Sequence, residues 1–413
     1  MSGDFFPATV PEGRTPVYFF TRNYYPTLTG AVERFRRYLP GLSERGIDYH
    51  VVSSLVDPTW HRVERRELEN ILRLPVKDGQ FVTTETLLLP MVPDLERAAR
   101  GTIQVAEVTP GMRAPLKHLR KLGHRVLCVR TIMPSIEPPR FSLRGLKRLV
   151  DIRLEASACD RFTAGSTVMR DAFSLGSDSL NRKYTIIPHG IDLTRFHPAD
   201  DAAASMTLRH KLGLRESANV ILSVGSVMER KRTHLVVEAF RALNRINPDT
   251  QLVIVGENKS RDTLFTARQR DSFQNYCERV SASAAECAPG SVVFTGETNN
   301  IEDYYRAADI FLFTSAIEGM PNVVIEAMAS GLPCVLTPFK GLPVTEFGAS
   351  GREFILADAD ASAIHAELMK LVSDPGRREA LGGAARRFTK SNLSSEDAVN
   401  AYAALYHDAP ASP

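Results

Sequence analysis

The chain has 413 residues, is 43% apolar and 24% charged, and carries a formal net charge of +3; that length exceeds one ordinary core, so two domains are expected. No run of about 18 apolar residues occurs, so no transmembrane helix is expected, and the start, MSGDFFPATVPEGRTP, lacks a basic segment followed by an apolar one, so secretion is not expected. The five cysteines, Cys128, Cys159, Cys277, Cys287 and Cys334, are scattered with no CxxC, which fits a reducing cytosol and speaks against a disulfide frame or a zinc site.

In chain order, PVYFF (Pro16 to Phe20) predicts a buried strand, followed by the turn-rich loop YYPTLTG. AVERFRRYLPGLSERG then predicts a helix closed by Gly46, and DYHVVSS a second strand. Strand, helix and strand of these lengths form a βαβ unit and imply a parallel sheet. RVLCV and YTIIP predict further strands of the same half.

The pattern restarts after Arg215: ANVILSVGS, QLVIVGE, SVVFTGE, IFLFTS and PCVLTP predict strands, with THLVVEAFRALNRI and IEDYYRAA as helices between them. The polar stretch HGIDLTRFHPADDAAA reads as a loop at the boundary, which falls near 187–215. SSEDAVNAYAALYHD predicts one amphipathic terminal helix with acids in its first turn. Two doubly wound halves of similar size predict a ligand cleft between them, lined by strand C-termini and helix N-termini.

Charge is unevenly spread. Residues 1–187 hold 28 Lys and Arg against 20 Asp and Glu, and the remainder 23 against 28. From Arg113 to Arg148 there are ten basic residues and one acid, Glu137. MRAPLKHLRKLGHR and RFSLRGLKRLVDIRLEA interleave these cations with Leu, Phe and Ile at helical spacing. Three readings fit: residues 112–153 dock on an anionic membrane, the apolar stripe faces the core under a solvated basic face, or the cations line the mouth for an acidic acceptor. Nucleic acid fits less well, because aromatic interleaving is sparse.

The stretch SAIEGMPNVVIEAMASGLP places two acids, Glu318 and Glu326, in apolar company. Pro321 suits the first position of a helix, so Glu318 lies in the loop ahead of it and Glu326 about one turn in. The N–H groups of the first turn, Asn322 to Val324, form an anion site. Carboxylates repel an anion but accept from hydroxyls, so a ligand with a central phosphate and polyols on both sides fits: a nucleotide-sugar. The alternative is that Glu318 caps the helix and Glu326 reaches solvent or an ion pair. In VGSVMERKRTHLVVEAF, a strand ends at Gly225 and the loop brings Arg230, Lys231 and Arg232 to a helix start; three cations there suit a diphosphate or form a solvated basic loop. Gly30 opens a helix and brings backbone N–H groups within reach of phosphate.

EGMPNVVIEAMASGLP resembles the E-x7-E signature of glycosyltransferase family 4, retaining enzymes of the GT-B fold, in its PN turn, its EAMA helix and the following GLP. YYPTLTG resembles the family's N-terminal glycine loop. IIPHGIDLTRFHP resembles its linker strand, usually written with Asn where this chain has His189. VGSVMERKRTHLVVEAF resembles its phosphate-binding segment. Three positions depart from the family. Ser226 stands where Arg commonly follows the glycine, Thr29 precedes Gly30 where two glycines are usual, and Arg130 and Thr131 stand where a histidine often ends the strand.

The resemblance implies an α/β chain of the GT-B fold, two Rossmann-like doubly wound domains facing a central cleft. Residues 1–187 would bind the acceptor and 188–393 the nucleotide-sugar, with the terminal helix 394–413 packing back on the first domain. It implies transfer of a hexose-type sugar from a nucleoside-diphosphate sugar, UDP- or GDP-linked, to a glycan, lipid-linked or small-molecule hydroxyl, with retention and without metal or other cofactor. A non-catalytic nucleotide-sugar or polysaccharide binder is the alternative. Glu318, Lys231 and Arg230 would be catalytic. Gly30, Gly225, Lys231, Glu318, Gly319, Met320, Pro321, Asn322, Val323 and Glu326 would hold the donor, sugar at Glu318 and ribose at Glu326. The expected location is cytoplasmic, peripheral on the inner face of the membrane. DAD at Asp358 to Asp360 is read as a loop before the helix ASAIHAELMKLV, not as a metal motif.

Overall fold

The computed structural model describes residues 5–26, 30–76, 82–134, 143–258 and 267–408. The chain divides into two compact units, Met1–Gly190 with Ser395–Pro413, and Ile191–Ser394.

The first unit is built on an eight-stranded sheet. Its strands are β1 (Thr15–Phe20), β2 (Ile47–Leu55), β3 (Val63–Arg65), β4 (Glu69–Pro75), β5 (Thr102–Val105), β6 (Arg125–Val129), β7 (Arg161–Ala164) and β8 (Tyr184–Ile186). The spatial order is β3-β4-β2-β1-β5-β6-β7-β8, and only the β3–β4 pair is antiparallel. Strand β1 is the centre, and its run of Val17, Tyr18, Phe19 and Phe20 is buried on both faces, as a parallel strand covered on two sides requires. The helix Gly30–Glu44 follows it, and Gly46 leaves the helix at a φ of +76°.

Strands β3, β4, β5 and β7 are not foreshadowed by apolar runs. Strand β4 buries Glu69 and Arg73, the latter paired with Glu64 at 2.9 Å and the former accepting from the Tyr24 hydroxyl. Polar residues turned inward erase the alternation that announces a strand. The terminal helix Ser395–His407 packs on the helix Gly30–Glu44. It sets Tyr402 5.8 Å from the Phe35 ring and Tyr406 5.9 Å from Tyr49, while the Tyr406 hydroxyl donates to Gln104.

The second unit carries β9 (Asn219–Val224), β10 (Thr250–Val255), β11 (Val292–Gly296), β12 (Ile310–Phe313), β13 (Cys334–Leu336) and β14 (Ile355–Leu356), in the order β11-β10-β9-β12-β13-β14 with every pair parallel. The chain therefore reverses direction across the sheet between β9 and β12. Ligands of doubly wound sheets sit beyond the strand C-termini at such a switch point. The expected loop HGIDLTRFHPADDAAA, residues 189–204, ends inside the helix Ala202–Lys211, whose first turn is capped by Asp201 accepting from the Ala204 N–H at 2.7 Å. The helix's weak amphipathic pattern hid it. Asp360 likewise caps the helix Ala361–Ser373, accepting from the Ala363 N–H at 2.9 Å, so the DAD segment is the loop before that helix. Among the described residues no helix is long and apolar enough to cross a membrane.

Candidate functional site

The two loops that leave β9 and β12 lie side by side at the switch point because their strands are neighbours. The β9 loop turns at Gly225, with φ at +143°, and passes close under the start of the β10 loop. A Cβ on Gly256, itself at φ +147°, would stand 2.3 Å from the Gly225 carbonyl oxygen. Both positions need glycine, Gly256 for space and both for conformation. Gly256→Ala is expected to destabilise the fold by about 3 kcal/mol, read by urea denaturation.

Beyond Gly225 a single turn, Glu229–Lys231, presents Arg230 and Lys231, and Arg232 at φ +51° redirects the chain into the helix Thr233–Ile246. The two loops are stitched together. Ala316 N–H donates to Arg230 O at 2.8 Å, and the Thr314 hydroxyl donates to Lys231 O at 2.8 Å.

Glu318 stands at the centre of this arrangement. Its Oε1 accepts from Arg230 Nη1 at 2.6 Å, from Lys231 Nζ at 2.7 Å and from the Ser315 hydroxyl at 2.7 Å. Arg230 Nη1 also reaches Ile317 O at 2.9 Å. Glu318 Oε2 receives no donor from the described residues. Lys231 Nζ also lies 5.3 Å from the centroid of the Phe313 ring. Burial pushes the Glu318 carboxyl up, but the attraction of Lys231 and Arg230 outweighs it and leaves the group below its usual range. Burial pulls the Lys231 ammonium below its usual range, and Glu318 restores only part of that fall. Two cations share one carboxylate, so the cluster keeps a net positive charge.

The helix that follows runs Asn322–Ala329, with Pro321 at the N-cap rather than at the first helical position. Its extended backbone, with ψ at 113°, is what places it one residue earlier. No side chain caps this helix, so Glu318 is not its cap. The Val324 N–H is taken by Pro321 O at 3.2 Å, which removes it from the set expected to meet an anion. Gly319, Met320 and Pro321 are buried in the turn. Glu326 is buried rather than solvent-facing, and its Oε2 accepts from the Tyr305 hydroxyl at 3.1 Å. That hydroxyl also lies 3.2 Å from Val323 O, and the Tyr305 ring packs against Phe196 and Phe311.

Gly225, Arg230, Lys231, Glu318, Gly319, Met320, Pro321, Asn322, Val323 and Glu326 thus all fall on the β9 and β12 loops and the helix after them. Gly30 belongs to the first unit, where it is the exposed first residue of the helix Gly30–Glu44; Thr27 to Thr29 of the same expected loop lie outside the described residues. Arg130 is buried, paired with Glu155 and 4.2 Å from the Phe173 ring. His118 pairs with Glu96 at 2.9 Å, and His124 lies 2.8 Å from Leu95 O. Sequence reasoning missed Ser315 and Tyr305. Ser315 lies three residues before Glu318, a usable signal, whereas Tyr305 reads as one more apolar position of its helix.

Tyr305→Phe is expected to leave the fold intact and to remove the hydroxyl that donates to the Glu326 carboxylate. The expected loss is about 2 kcal/mol of stability, for one hydrogen bond to a charged group, measured by thermal unfolding.

Residues 205–388 match the family model described as glycosyl transferases group 1, which lies wholly within the second unit. The chain is 29% identical over 223 residues to the lipopolysaccharide core biosynthesis mannosyltransferase LpsB of Rhizobium meliloti, covering 54% of this chain and 60% of that one. It is 25% identical over 389 residues to the GDP-mannose-dependent alpha-(1-6)-phosphatidylinositol monomannoside mannosyltransferase of Mycolicibacterium smegmatis, covering 90% and 93%. The chain spans about half the length of the curated relatives it matches first, 60%, 52% and 39% of them. In three dimensions it is similar to Anabaena Alr3699/HepE, solved in complex with UDP and glucose, with a TM-score of 0.69 at 14% identity, covering 95% of this chain and 99% of that one. The fold is that of the GT-B glycosyltransferases.

Proposed function

We propose that this chain is a retaining, metal-independent glycosyltransferase. It moves a hexose-type sugar from a nucleoside-diphosphate sugar, UDP- or GDP-linked, to an acceptor hydroxyl in glycan, glycolipid or cell-envelope polysaccharide synthesis. The second unit holds the donor and the first the acceptor. The observation that carries this reading is the Glu318 carboxylate, one oxygen saturated by Arg230, Lys231 and Ser315 and the other open to a hydroxyl. Two neighbouring cations with one shared counter-charge suit a diphosphate. Glu326, about one turn into the helix Asn322–Ala329 and held by Tyr305, suits the ribose hydroxyls. The mannosyltransferase activities of the two relatives, and the UDP and glucose bound by HepE, support the same class of donor.

In this reading the bond between the sugar's anomeric carbon and the β-phosphate oxygen breaks, and the electron pair leaves with the nucleoside diphosphate. The acceptor oxygen attacks the same face and its proton passes to the departing phosphate oxygen. Lys231 and Arg230 stabilise the charge that grows there, an interaction stronger in the transition state than before it. Glu318 orients the sugar through its hydroxyls.

The test is incubation with UDP- and GDP-hexoses, measuring released nucleotide. One donor is expected to be hydrolysed slowly without acceptor, at a rate unchanged by chelator, and the freed sugar to keep its anomeric configuration by proton NMR. Nucleotide binding with no turnover of any donor, with or without a panel of hydroxyl acceptors, would instead mark a non-catalytic binder.

A further inference from the structure

The basic stretch separates into two different helices. In Arg113–Lys121, Leu116 and Leu119 are buried while Lys117, His118 and Lys121 are exposed, an ordinary core-facing stripe. The helix Leu143–Ala158 is turned the other way. Gly145 and Ala156 are buried on its inner side, whereas Leu143, Leu146, Val150 and Leu154 are 88%, 60%, 47% and 41% exposed. Ile132, shortly before it in the chain, is 46% exposed. Of the eleven exposed large hydrophobics among the described residues, these are five, gathered within 23 positions. Scattered exposed apolar residues are normal, but a contiguous row is not.

The helix is held in this orientation by polar links. Asp151 pairs with Arg113 at 3.1 Å, Glu155 pairs with Arg130, Arg148 donates to Ala172 O at 3.2 Å, and Lys183 donates to Ala156 O at 2.6 Å. Both carboxylates of the helix are thereby taken up by arginines of the same unit. With about 100° per residue, the four exposed apolar side chains fall within roughly 80° of the circumference. Exposed Lys147 flanks them on one side and exposed Arg153 on the other.

We infer that the exposed face of Leu143–Ala158 docks on an anionic lipid surface, with Leu143, Leu146, Val150 and Leu154 entering the headgroup layer and Lys147 and Arg153 meeting lipid phosphates. The charge decides the occupant. An apolar row bordered on both sides by cations, its acids paired elsewhere, complements an anionic interface; a second copy of the chain would set like charges against each other. The inference stands apart from the sugar-transfer reading, since the face lies in the first unit and its test uses no nucleotide.

The test is co-sedimentation of the full chain with vesicles of equal parts phosphatidylglycerol and phosphatidylcholine, and with phosphatidylcholine alone. Binding is expected to the anionic vesicles, to weaken with added salt, and to be absent from the neutral ones. The double variant Lys147→Ala, Arg153→Ala is expected to bind about thirtyfold more weakly, and Leu146→Asp, Val150→Asp to lose binding, both with unchanged thermal unfolding because the four side chains are exposed. Failure of the wild-type chain to bind anionic vesicles, or equal binding by the aspartate variant, would overturn the inference. So would a concentration-dependent dimer that the aspartate variant abolishes without any vesicle binding.

Discussion

Glu318→Ala is expected to lower the turnover number for sugar transfer by about a thousandfold, the cost of removing a preorganised transition-state contact. The same change leaves Lys231 and Arg230, which now share Glu318 Oε1, without a counter-charge. Breaking a buried pair by removing one partner costs about 3 kcal/mol of stability, read by urea denaturation. Affinity for the free nucleoside diphosphate should not fall, because the two cations are released toward it. This split, turnover lost while product binding is kept, separates a sugar-orienting carboxylate from a merely structural one. Unchanged turnover in the alanine variant would contradict the role. Acid should act in the same direction. The Glu318 carboxyl sits below its usual range, so its contribution to stability is complete above the ordinary glutamate range and is lost as pH falls through its folded value.

Lys231→Ala is expected to lower turnover by a few hundredfold and to weaken nucleoside-diphosphate binding by about tenfold. Both losses follow from one cause, removal of a cation from the leaving phosphates. Lys231→Arg should recover little. The lysine stem passes 3.4 Å from where a Cβ on Gly225 would lie, and a planar guanidinium does not fit the track of a point charge. Burial holds the Lys231 ammonium below its usual range, so diphosphate affinity in the wild type should decline with rising pH before an ordinary lysine would titrate. A pH profile of nucleotide binding, flat in Lys231→Ala and falling in the wild type, checks the assignment.

How far this was legible in the sequence depended on what each segment buries. Strands β1, β9, β10 and β12 are near-continuous apolar runs, so pattern alone located them. Strand β4 was not legible, because Glu69 and Arg73 point inward and their partners lie elsewhere in the chain. The helix Ala202–Lys211 was hidden by its small residues, and its first turn takes up the last three residues of the expected loop. At the site, two acids in apolar surroundings announced themselves. The cations Arg230 and Lys231 were legible as a cluster, but their pairing with Glu318 was not. Arg230 and Lys231 stand 88 and 87 residues before Glu318, and the strand order, which no local pattern encodes, puts β9 beside β12. The helix Leu143–Ala158 gives the opposite lesson. Its spacing was legible, but which side faces solvent is set by Arg113 and Arg130 gripping Asp151 and Glu155.

The donor site is tested most directly by a calorimetric titration of the wild-type chain with UDP, GDP, ADP and dTDP, repeated on Lys231→Ala and Glu326→Ala. At least one nucleotide is expected to bind the wild type, and each variant to bind that nucleotide at least tenfold more weakly, one losing a phosphate contact and the other a ribose contact. Absence of binding by all four, or binding that both substitutions leave unchanged, would contradict the donor-site assignment.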